Sequence, residues 1–193
     1  MEFTFEKKLQ SVIYPDLEHG RPDWDLPHTK AVVRHAKQIL SQHPELDTDP
    51  AVVIIAAYAH DWGYAELFDD GDSAQFDDVK NAKKAHMRIG AAKLEQLLKR
   101  AAFEDLSAAQ KDRIVHLVRV HDKLDALEAD DELILMEADT LGALDAGAHF
   151  STFDADSSKR YLEAVEQRRR PLFVTAYAET QYDDLLQQYR EQM

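Results

Sequence analysis

The chain contains no cysteine, which removes disulfides and thiolate metal ligands from consideration. It fits a reducing setting, and a cytoplasmic protein is expected. Glycine and proline are scarce, six of each in 193 residues, so long irregular regions are not expected. No apolar run approaches membrane-spanning length, and Met1–Gln10 is too polar for a secretory signal. Basic residues are outnumbered, 23 Lys and Arg against 37 Asp and Glu, for a net charge of −14. That balance argues against non-specific association with nucleic acid or anionic membranes. It leaves phosphorylated small molecules open as substrates, because bound metal ions reverse the sign of a cleft locally. There is no internal repeat, no low-complexity tract and no convincing period-two alternation. Residues 1–193 are therefore expected to form one all-α domain, long enough for a proper core.

What is present is organised around Asp49–Leu67. Asp49-Pro50 reads as an N-cap followed by proline at the first helical position. Eight of the next nine residues, Ala51–Ala57 and Ala59, are apolar, and only Tyr58 carries a polar tip. A helix apolar on all sides is a buried, central helix. This one runs directly into His60 and Asp61. Burying an unpaired carboxylate costs several kcal/mol, so Asp61 requires a cation or strong donors opposite it.

The surrounding chain supplies candidates. Phe3–Tyr14 has the pattern of a short amphipathic helix, and Pro15–Leu26 that of a loop. The next helix opens at Asp25 and ends before Pro44, with His28, Val32, Ala36 and Ile39 on one stripe. After Trp62-Gly63-Tyr64 an acidic loop, Asp69–Asp78, is placed where it could cover a site. A helix over about Asp77–Arg100 carries His86 on its apolar stripe, with Lys80, Lys83, Lys84, Arg88 and Lys93 on the other face. Ser107 and Gln110 form a capping box for a helix ending at His121-Asp122. Asp131 or Glu132 opens Leu133–Leu144, which holds Asp139 among apolar neighbours. Residues 154–193 read as one or two amphipathic helices broken or kinked at Pro171.

Four histidines on four helices, with two carboxylates in apolar surroundings, exceed what ordinary core packing explains. Buried charges of this kind are paired or bind metal. Imidazole with carboxylate suits Mn, Fe, Ni or Zn, with Mg at an oxygen-rich position. His35 lies seven residues after His28 on nearly the same face and competes for its role. His116 is expected on the Arg113–Arg119 side, exposed. His19, His43 and His149 fall in or near loops, with the surface as their expected place.

His28, then His60-Asp61 closing an Ala-rich helix, then Asp139 in Glu137-Ala138-Asp139-Thr140-Leu141, resemble the H…HD…D signature of the HD-domain metal-dependent phosphohydrolases. The resemblance covers about Leu26 to Ala146 and implies an all-α bundle, with residues 154–193 packed on it. It implies one metal on His28, His60, Asp61 and Asp139. In two-metal relatives, histidines at the places of His86 and His121 bind a second ion, and the HD aspartate, here Asp61, bridges both. The lysine after the HD segment and the later Gly-Tyr-Pro motif of cyclic-dinucleotide phosphodiesterases are absent, which argues against that substrate class.

The resemblance points to hydrolysis of a phosphate ester in a nucleotide or similar small molecule. Asp61 would hold the ion bridge, Asp122 or Asp139 would orient the nucleophile, and Arg88, Arg119 and Lys123 would contact phosphate. Lys83 and Lys84 are expected to be solvated surface charges. The same ligand order also serves HD-fold oxygenases with two irons, and a metal-binding regulatory module is a third reading.

Overall fold

The computed structural model describes residues 3–21, 23–68, 74–145, 147 and 153–192. His149 and Asp69–Ser73 of the acidic loop lie outside the described residues. The described chain is helical without strands. It comprises α1 (Glu6–Glu18), α2 (Asp25–Gln42), α3 (Pro50–Ala59), α4 (Phe76–Leu97), α5 (Ala108–Val120), α6 (Asp130–Leu144), α7 (Ala155–Ala164) and α8 (Ala176–Gln192), joined by short turns.

Helix α3 is the axis. Asp49 Oδ1 accepts a hydrogen bond from the Ala51 amide at 2.9 Å, and Pro50 occupies the first turn, where its missing N–H costs nothing. Every residue from Val52 to Ala59 is buried. Helices α1, α2, α4, α5 and α6 all pack on α3, and α2 lies along α6. The capping box at Ser107 and Gln110 forms as expected and starts α5. Helix α6 begins at Asp130, a residue or two before the acidic pair that announces it.

The first helix departs from expectation by continuing through Pro15 to Glu18. A proline inside a helix forfeits one hydrogen bond and costs about 3 kcal/mol. Leu9, Ile13 and Leu17 are spaced by one turn and fully buried, and burial of Leu17 offsets much of that cost at roughly 1.5–3 kcal/mol. The last turn is also tied down by Trp62 Nε1, which donates to Asp16 Oδ2 at 2.7 Å.

The C-terminal segment docks on α6. Leu141 and Leu144 share an apolar cluster with Leu162, Val165, Ala178, Tyr182, Leu185 and Leu186. Buried Glu137 of α6 accepts hydrogen bonds from the Val174 amide, from the Thr175 amide at 3.0 Å and from Thr175 Oγ1 at 2.6 Å. Ahead of Pro171 the chain makes one wide, π-type turn, Val165–Arg169, so the break falls before the proline. Turns of this kind recur at functional sites. Here it points Arg169 inward.

Candidate metal centre

Six side chains from five places in the bundle converge. His28 comes from the first turn of α2, His60 and Asp61 from the end of α3, His86 from the middle of α4, His121 from the end of α5 and Asp139 from the middle of α6. All six are buried. They form two sets that share Asp61.

The first set is His28, His60, Asp139 and one oxygen of Asp61. His28 Nε2 lies 3.2 Å from His60 Nε2, 3.2 Å from Asp139 Oδ1 and 3.5 Å from Asp61 Oδ2. His60 Nε2 is 3.6 Å from each of Asp61 Oδ2 and Asp139 Oδ1. Four donors on a sphere of metal–ligand radius about 2.1 Å stand roughly 3.0–3.4 Å apart, so this spacing fits one divalent ion with slight contraction. The second set is Asp61 Oδ1, His86 Nε2 and His121 Nε2. The two nitrogens are 3.2 Å apart, and 3.5 and 3.6 Å from the oxygen. Asp61 thus turns one oxygen to each set.

Ring orientation supports ligation. His60 Nδ1 donates to the Ala57 carbonyl and His121 Nδ1 to the Val118 carbonyl, each at 2.9 Å. Both bonds fix the neutral tautomer that aims the Nε2 lone pair into the site. His86 is held differently. Its Nδ1 has no hydrogen-bond partner, and its ring stacks on Tyr64 at 3.9 Å between centroids.

Burial and the buried carboxylates together set the charge state of the histidines around them. Burial opposes a proton on His60, yet Asp61 and Asp139 hold its pKa up at about 9. Burial lowers His86 to about 3, against the pull of Asp61, which keeps this imidazole neutral. Burial raises the Asp61 and Asp139 carboxyls. Around Asp61 the histidines outweigh it, and around Asp139 Arg169 and the histidines do, so both sit well below the usual range.

Three further cations reach the centre, two of which sequence reasoning missed. Arg169 Nη1 donates to Asp139 Oδ2 at 2.7 Å, and its Nη2 pairs with Asp122 Oδ1. Arg21 is buried, bonded through Nε to Asp25 Oδ1 at 2.7 Å, with Nη2 3.5 Å from Asp61 Oδ2. Its guanidinium lies 4.2 Å over the Tyr64 ring. Asp25 opens α2 as expected, and its carboxylate also serves Arg21. Lys83, expected to be a solvated charge, bonds Asp122 Oδ1 at 2.9 Å, a correction that follows from α4 turning this residue toward the α5 end.

Asp122, the other candidate catalytic carboxylate, keeps Oδ2 3.9 and 4.0 Å from the His86 and His121 nitrogens. Burial opposes its ionisation, but Lys83 and Arg169 outweigh that and hold it below the usual carboxylate range. A small pocket over the metal centre is lined by Arg21, Lys83, Asp122 and Arg169 and walled by Trp24, Phe76, Phe153 and Tyr161.

The remaining candidates lie elsewhere. Arg88, Arg119 and Lys123 are exposed and line an adjoining groove that also includes Asp122. His35 does not join the cluster. It meets Tyr177 Oη at 3.1 Å and Asp145 at 3.4 Å. His116 is exposed and pairs with Glu132, His43 pairs with Glu45, and His19 is exposed.

Among known proteins, the family model described as HD domain matches residues 26–144, more than half of the chain. The match spans the stretch that holds all six convergent residues. No curated protein and no solved structure matches.

Proposed function

This chain belongs to the HD-domain family, and from that premise we propose that it is a metal-dependent phosphohydrolase acting on a small phosphorylated molecule such as a nucleotide. The observation that carries the reading is Asp61, whose two oxygens face two separate donor sets. His28, His60, Asp61 and Asp139 would hold one divalent ion, and Asp61, His86 and His121 a second. When bound, such ions supply Lewis acidity toward phosphoryl oxygens and a water of lowered pKa.

The chain's own residues account for the rest. Arg21 and Arg169 both line the pocket, and Lys83 shares Asp122 Oδ1 with Arg169. Fixed guanidinium groups match phosphoryl oxygens in pairs and need little rearrangement on binding. Asp122 stays ionised, so it acts as a hydrogen-bond acceptor that orients the attacking water rather than as a strong proton sink. The net reaction adds water across the P–O bond and releases an alcohol and inorganic phosphate from a monoester. Trp24, Phe76, Phe153 and Tyr161 form an aromatic wall beside the metal centre. Such a wall supports an apolar or stacking leaving group, a nucleobase among them.

The test is metal analysis of protein purified without chelator, followed by a phosphoester panel run with Mn, Mg, Ni and Fe(II). Retained metal with turnover of a phosphoester, abolished in Asp61→Ala, is the expected result. Absence of metal, or bound iron with no hydrolysis of any ester, overturns the hydrolase reading.

A further inference from the structure

Beside the metal pocket, and sharing Lys83 and Asp122 with it, lies a second and larger groove of about 900 Å³. It is open and strongly basic. Lys80, Lys84 and Arg88 recur one turn apart on α4, a stripe about 12 Å long at 1.5 Å per residue. Arg119 from α5 and Lys123 from the following turn face the same groove. Among the described residues, none of these five side chains has a hydrogen-bond or ion-pair partner, Asp77 acting on Lys80 only through its field, and all are exposed. Arg168 at the rim is already engaged by Asp125 at 3.5 Å. In a chain of net charge −14, acids are plentiful enough to neutralise any basic patch. Five unpaired cations from three segments around one concavity is a distribution that favours an external anion. Met87 and Leu124 give the groove an apolar component, which lowers the local dielectric and strengthens that attraction.

We propose that this groove is a subsite for a second phosphate group, carried on the same small molecule as the phosphate at the metal centre. The substrate is then a bisphosphorylated molecule whose two phosphates are not adjacent. One sits at the metals among Arg21, Lys83 and Arg169, and the other lies beyond the Lys83–Asp122 pair in the groove. The inference rests on the hydrolase reading for the first phosphate, but the groove's own affinity does not. A nucleic acid strand is the other polyanion a basic groove could take, and the acidity of the rest of the surface disfavours it.

Equilibrium binding of adenosine 3′,5′-bisphosphate and adenosine 5′-monophosphate to metal-loaded protein decides the matter. The wild type is compared with Lys84→Glu/Arg88→Glu, both exposed positions, with melting temperature as the folding control. The wild type should bind the bisphosphate at least about tenfold more tightly than the monophosphate, and the preference should shrink with added salt. The double variant should lose the preference. Equal binding of the two nucleotides by the wild type, or an unchanged preference in the folded variant, overturns the subsite. So does tight binding of short single-stranded RNA that depends on Lys84 and Arg88 and excludes the bisphosphate. Preferential binding with no turnover of either nucleotide leaves the subsite standing and counts against the hydrolase reading instead.

Discussion

Gly63 closes the turn after the His-Asp pair, and a Cβ built on it would stand 2.0 Å from the His86 carbonyl oxygen, 2.7 Å from the His86 carbonyl carbon and 2.8 Å from the Gly90 amide nitrogen. All three are backbone atoms of α4, so no side-chain rotation relieves the overlap. Gly63→Ala therefore has to move helix and turn apart by about 1.4 Å, from 2.0 Å to the ordinary contact distance of 3.4 Å. Overpacking of this kind costs about 1–3 kcal/mol, and a clash of backbone on both sides belongs at the upper end. In a chain of this size that lowers the melting temperature by roughly 6–12 °C. The displacement also carries His86 away from Asp61 Oδ1 and His121 Nε2, now 3.5 and 3.2 Å distant, while His28, His60 and Asp139 do not ride on α4. The second ion should be lost before the first. Gly90→Ala is the matched control on the facing helix, where the nearest contacts would be 3.2 and 3.4 Å. There a helix-propensity gain of up to about 1 kcal/mol offsets the tightness. Melting curves of chelated protein, with metal content by mass spectrometry, check both. If Gly63→Ala melts with Gly90→Ala and keeps the wild-type metal content, the argued role of this close approach in seating His86 is wrong.

Asp61→Ala should abolish metal retention and hydrolysis together, since both donor sets share this residue, and full metal stoichiometry in the variant would refute the shared-ligand assignment. His86→Ala with His121→Ala should leave about one ion per chain on His28, His60, Asp61 and Asp139, and an unaltered metal count in the folded double variant would remove the second site. Arg169→Ala leaves buried Asp122 and Asp139 without their common partner. It should destabilise chelated protein by about 3–5 kcal/mol in urea unfolding, and metal-loaded protein by less; equal midpoints for variant and wild type would refute the linkage. In chelated protein His60 titrates at about 9, above its ordinary value of 6.5. Its stabilisation is complete below about pH 6.5 and is lost as pH rises through 9. Melting temperature should fall across that window in chelated protein and stay flatter with metal, which binds the neutral ring; a flat chelated profile would contradict the assignment.

The six convergent residues were legible because each carries a local contradiction. A histidine at a stripe position, or an aspartate between Ala138 and Thr140 inside an apolar run, is costly unless something compensates, and that cost can be read from spacing alone. The same applies to α3, whose cap and uniform apolarity identify it before any contact is known. Helix ends were less legible. Pro15 signals a break by local chemistry, yet Leu17 one turn after Ile13 draws the chain on. The stripe Leu9, Ile13, Leu17 was the available signal.

Arg21 and Arg169 could not be found this way, and the reason is physical. An arginine carries no periodic signature, since its long side chain reaches a site from a turn as well as from a helix face. Arg169 stands beside Arg168 and Arg170 in an arginine run that reads as solvated surface. Only the wide turn ahead of Pro171 separates them, burying Arg169 while Arg168 remains exposed and pairs with Asp125 at 3.5 Å. The family match stops at residue 144, but the site does not. Asp139 and Asp122 are both held by a guanidinium from the segment beyond it, docked through Glu137 and the α6–α8 apolar cluster. The residues of the candidate site are thus of two kinds. Those that can ligate metal lie within the shared bundle. Arg169, from the C-terminal segment, neutralises them from outside that bundle, and this chain's own handling of a phosphate should depend on it.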